Sequence, residues 1–79
     1  MGDMNLIRLM EEVLGMGYRI EFEHVAQGVM TEVVVTKVNH DGFDNTEILQ
    51  MNVPSNALRN PESLQELMAH IKIKHDLLA

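Results

Sequence analysis

A chain of 79 residues makes one domain with little stability to spare, because at this size only about 60% of the unfolded surface is buried on folding. With no cysteine there can be no disulfide, no thiolate metal ligand and no thiol nucleophile, which fits a reducing cytoplasm. The formal charge of −6 argues against direct contact with phosphate backbones, and no apolar run approaches the roughly 18 residues of a membrane span.

In chain order, the first pattern is helical. Leu6, Leu9, Met10, Val13 and Leu14 recur at three- and four-residue spacing, with Arg8, Glu11 and Glu12 on the other side. Asp3 or Asn5 can cap the start, and Gly15 or Gly17 can end the helix in a left-handed conformation. The simplest use of the apolar stripe is to pack on a sheet.

Period-two patterns follow. Tyr18, Ile20 and Phe22 alternate with Arg19, Glu21 and Glu23, as in a half-buried strand. Ala26-Gln27-Gly28 is short enough for a hairpin turn. Val29 to Val38 is rich in β-branched residues and apolar on both faces, which predicts the middle strand. Asp41-Gly42 is a strong two-residue turn signal, and a third strand is expected over Thr46 to Val53. There Glu47, Leu49, Met51 and Val53 alternate with Ile48, Gln50 and Asn52.

Pro54 to Arg59 reads as a connector with a short helical turn. Asn60-Pro61-Glu62 then starts a second helix, with Asn as cap, Pro at the first position and an acid near the positive end of the dipole. Its expected apolar stripe is Leu64, Leu67, Met68 and Ile71, extended by His75 and Leu78. The fold class is thus α+β: helix, three-stranded antiparallel meander, helix, in two layers with both helices on one sheet face.

The chemistry-bearing residues do not assemble into a catalytic pattern. His70 and His75 are five apart, about 140° around a helix, so they do not face one metal. Ser55 and Ser63 lack an accompanying His and Asp pattern, and no glycine-rich phosphate loop occurs. Paired acids such as Glu21 with Glu23 and Glu11 with Glu12 need contrasting environments around a pocket to act as acid and base, and a small two-layer domain has little room for one. No enzymatic activity, cofactor or metal is expected.

Charge is the more informative feature. From Ile20 to Leu58 the acids are Glu21, Glu23, Glu32, Asp41, Asp44 and Glu47, against the single base Lys37. This acidic strip is the candidate partner-binding surface. The second sheet face, with Val33-Val34-Val35 pointing both ways and Ile48 opposed to Leu49, is expected to leave apolar groups uncovered. Met30, Val34 and Ile48 are candidates for an apolar contact, and a homodimer through that face or through an unpaired strand edge is expected. Met16 and Met30 also suit an interface, methionine being an adaptable contact residue.

The element order is that of the double-stranded-RNA-binding domain. However, the last helix here begins Asn60-Pro61-Glu62-Ser63-Leu64-Gln65-Glu66, acidic where that family is basic, and RNA binding is set aside. Met4-Asn5-Leu6-Ile7-Arg8, Tyr18-Arg19-Ile20 and Val38-Asn39-His40-Asp41-Gly42 resemble the first half of a small acidic phage inhibitor, a type II anti-CRISPR. That resemblance implies a DNA mimic that blocks an RNA-guided nuclease from the host cytoplasm, with Asp41, Asp44 and Glu47 at the positions of the contacting acids. The chain departs from the family in carrying Lys72 and Lys74 near its carboxy terminus instead of an acidic tail. The expectation is a non-enzymatic acidic protein that binds a basic nucleic-acid-processing protein. The alternative is a self-assembling homodimer with no heterologous partner.

Overall fold

The computed structural model describes residues 4–38 and 45–78. The first helix, α1 (Leu6–Gly15), starts where expected: the Asn5 side chain accepts a hydrogen bond from the Arg8 N–H, satisfying one of the free donors at the helix start. It ends at Met16, whose N–H bonds back to Glu12 and Val13, and Gly17 then turns the chain at φ +85°. A glycine suits that angle because it has no Cβ to clash with the carbonyl.

Strands β1 (Tyr18–Val25), β2 (Met30–Val38) and β3 (Asn45–Pro54) form one antiparallel sheet in the order β1-β2-β3. The turn between β1 and β2 is a one-turn 3₁₀ segment, Ala26–Gly28, in which Ala26, Gln27 and Gly28 all take positive φ. Val29 lies in this turn rather than in the strand and is exposed. The expected Asp41-Gly42 turn falls outside the described residues.

β1 and β2 pair without interruption from Tyr18↔Lys37 to Val25↔Met30. β2 and β3 do not. Val35 pairs with Leu49 but Thr36 pairs with Glu47, so Ile48 is an extra residue, a β-bulge. The bulge corrects the simple alternation expected for β3. It leaves Ile48 only 8% exposed, among the core residues, and sets Glu47 opposite Thr36 on the outer face. Ile48 is therefore not available as an apolar contact on the open side.

A second 3₁₀ segment, Ser55–Arg59, links the sheet to helix α2 (Pro61–Leu78). The Asn60 side chain accepts from the Glu62 N–H, and its carbonyl accepts from the Leu64 N–H, as expected of a helix cap. Leu64, Leu67, Met68 and Ile71 are buried together with Leu9 and Val13 of α1 and Tyr18, Val33, Val35 and Ile48 of the sheet. Ile20, Phe22, Leu49, Met51 and Val53 pack against this cluster. Both helices thus cover one face of the sheet, and the 20 Å short dimension matches two layers.

The helical stripes are narrower than their sequence patterns suggest. Leu14, Met10 and Leu78 are exposed, and α1 meets the sheet mainly over β1. His75 stays half-buried by hydrogen-bonding through Nδ1 to the Tyr18 hydroxyl, with the two rings edge-on at 5.4 Å. This contact ties the last turns of α2 to the first residue of β1. Met16 is half-buried against the core. Among the described residues, no helix is long and apolar enough to cross a membrane.

Candidate functional site

Among the described residues no helix lies over the outer face of the sheet, and the strand register says which side chains share it. Its cross-strand rows are Arg19–Thr36–Glu47, Glu21–Val34–Gln50, Glu23–Glu32–Asn52 and Val25–Met30–Pro54. Four of the six acids singled out in the sequence, Glu21, Glu23, Glu32 and Glu47, therefore lie on one face. Asp41 and Asp44 lie outside the described residues.

Two features of this face stand out physically. Glu23 and Glu32 are direct cross-strand partners, so two like charges oppose each other where a sheet normally sets opposite charges or apolar pairs. The only cation in these rows is Arg19, whose Nε lies 3.0 Å from Glu21 Oε1. Among the described residues, Glu23, Glu32 and Glu47 have no ion pair. Glu21, Glu23 and Glu32, with Phe22 and Val34, line a shallow depression of about 480 Å³.

Val34 and Met30 are half-buried on this face, each flanked by polar or acidic neighbours, so it has an acidic surface with small apolar insets. A broad apolar patch is not what lies there. The most exposed large apolar side chains belong to the helical layer, including Ile7, Leu14, Ile73 and Leu77, and to the β1–β2 turn at Val29. Bases are likewise concentrated away from the outer face: Arg8 lies on α1, Arg59 follows β3, and Lys72 and Lys74 lie on α2.

The structure also brings together residues that the linear pattern keeps apart. The Thr31 hydroxyl is buried, 3.1 Å from His24 Nδ1 and 2.8 Å from Ser55 Oγ. This polar chain joins β1, β2 and the segment after β3, beside an open groove of about 720 Å³ lined by Leu6, His24, Val29, Pro54, Ser55 and Arg59. Ser55 and His24 are bridged by Thr31 and are not bonded to each other, so the serine has no base at hand. The network instead satisfies a buried hydroxyl and fastens the hairpin to the connector. The register predicts the pairing of His24 with Thr31; only the fold brings Ser55 to them.

A further cleft, between β3, the connector and α2, measures about 150 Å³ and is lined by Met51, Val53, Leu58, Leu67 and His70 among others. It falls short of the roughly 300 Å³ at which small-molecule pockets begin. Among the described residues, no three His, Cys, Asp or Glu side chains gather as a metal-binding group. No family model, no curated protein and no solved structure matches this chain.

Proposed function

We propose that this chain is a non-enzymatic binding protein whose acidic outer sheet face engages a basic surface on a nucleic-acid-processing protein. The observation that carries the reading is the opposed pair Glu23 and Glu32 beside Glu21, on a face that, among the described residues, has one arginine in its cross-strand rows and no covering helix. Juxtaposed like charges cost folding energy, and solubility alone would be served equally well by acids spread over the helices. An acidic face gains from a cationic partner by steering encounter and by relief of its own repulsion when the two surfaces meet.

The resemblance to the type II anti-CRISPR makes an RNA-guided nuclease the first partner to try, with the acids standing in for DNA phosphates. Binding of such a nuclease to the wild-type chain and to the double variant Glu23→Lys/Glu32→Lys can be compared by calorimetry at low and high salt. The reading requires that the wild type binds, that the variant loses at least about 2 kcal/mol of affinity, and that salt weakens the wild-type complex. Duplex DNA carrying the nuclease's recognition motif should compete. Equal binding by the variant would overturn the assignment of the face, and lack of binding would exclude this partner class.

A further inference from the structure

We propose that two copies of this chain pair through the free edge of β1, antiparallel, about a twofold axis at Ile20. The sheet has two edges, and they differ. On β3 the bulge at Ile48 and the terminal Pro54 interrupt the edge, both devices that discourage further pairing. β1 has neither, and its register with β2 is unbroken over all eight residues. Among the described residues no strand pairs with its other side.

Charge complementarity identifies the occupant as a second copy and selects the register. Arg19 and Glu21 are both well exposed on the outer side of β1, two residues apart around Ile20. With the twofold axis at Ile20, Arg19 of each copy, already 3.0 Å from Glu21 of its own chain, also faces Glu21 of the other, so the two pairs join into one alternating network across the axis. Tyr18 faces Phe22 on the inner side, so the shared ladder runs from Tyr18 to Phe22, and Glu23 lies beyond it, beside the partner copy's turn at Gly17 rather than opposite an acid. Moving the axis to Glu21 would set Glu21 against itself, and moving it to Phe22 would set Glu21 against Glu23. Only the first of these arrangements has no opposed acids.

The helical layer agrees with this geometry. α1 lies over β1, and its Arg8 and Glu12 flank faces α2 across a groove that Lys72 also lines. The opposite flank, which looks out over the β1 edge, carries Ile7 at 70% and Leu14 at 64% exposure, with Met10 between them. Twofold pairing of β1 brings two such flanks together above a continuous six-stranded sheet, covering apolar groups that otherwise face water.

The test uses charge-reversed single variants. Wild type should show a concentration-dependent doubling of mass by sedimentation equilibrium, at concentrations up to about 1 mM to include weak pairing. Arg19→Glu alone and Glu21→Arg alone should each self-associate about 10- to 100-fold more weakly, since both convert attraction to repulsion across the axis. An equimolar mixture of the two variants should restore the dimer as a heterodimer. Because the chain has no cysteine, Arg19→Cys mixed with Glu21→Cys should also form an intermolecular disulfide under mild oxidation, faster than either alone. Circular dichroism confirms that each variant is folded. A monomeric wild type, an undiminished Glu21→Arg dimer, or a mixture that fails to associate overturns the proposal. The acidic-face reading shares Glu21, but it is measured with Glu23→Lys/Glu32→Lys against a cationic partner, so the two readings can fail separately.

Discussion

Replacing Glu32 with lysine should make the free protein more stable and weaken the proposed binding to a cationic partner. Glu32 faces Glu23 directly across the β1–β2 ladder. Carboxylates on opposed residues sit about 5–6 Å apart, where unit charges in a water-like dielectric repel by about 0.7 kcal/mol. Glu32→Gln removes that repulsion, and Glu32→Lys replaces it with attraction of similar size. After discounting for side-chain entropy and exposure, the gains should be about 0.5 kcal/mol for glutamine and about 1 kcal/mol for lysine. For a domain this small, 1 kcal/mol moves the melting temperature by about 4–8 °C. Thermal unfolding followed by circular dichroism at low salt and again at about 1 M salt supplies the check, because the Debye length falls to about 3 Å at the higher concentration and the gain should largely vanish. Glu11→Lys changes the net charge equally without an opposed acid and should stay within about 0.5 kcal/mol of wild type. If Glu32→Lys brings no gain at low salt, or a gain that salt leaves intact, the opposed pair is not under electrostatic tension and the energetic argument for a recognition face fails.

Other expectations follow from burial and hydrogen bonding. Ile71→Ala removes a fully buried side chain from the centre of α2 and should cost about 2–5 kcal/mol, enough to threaten folding, whereas Ile73→Ala, 57% exposed two residues on, should change stability by less than about 0.5 kcal/mol in urea titrations. Thr31→Val keeps the shape but strips His24 and Ser55 of their shared partner, and should cost about 1 kcal/mol in the same assay. Tyr18→Phe and His75→Ala should be less than additive, with a coupling of about 0.5–1.5 kcal/mol in a double-mutant cycle. The Tyr18→Phe variant should also speed amide exchange in the last turns of α2.

Much of the architecture is legible along the chain because it rests on local rules. Asn5 and Asn60 can be recognised as helix caps from their own chemistry and neighbours, and both make the expected bonds. The alternation in β1 and the β-branched run in β2 identify two strands and their order, since adjacent segments joined by short turns pair with each other. The acids at 21, 23 and 32 are read directly from the sequence. That Glu23 and Glu32 are opposed, however, depends on a register that the four-residue connection from Ala26 to Val29 sets; a turn ending at Gly28 would have placed Thr31 opposite Glu23.

Tertiary structure decided what periodicity cannot encode. The bulge at Ile48 moves that side chain into the core and turns Glu47 outward, because one inserted residue reverses the facing of everything on one side of it. The apolar stripe of α1 reads as continuous from Leu6 to Leu14, yet only Leu9 and Val13 of the helix are fully buried, and Ile7 and Leu14 stay exposed. Composition determined that the chain is acidic and small. Where the charges meet, which edge is left open and which apolar groups stay uncovered were settled by long-range packing, since those properties depend on elements distant in sequence arriving at the same place.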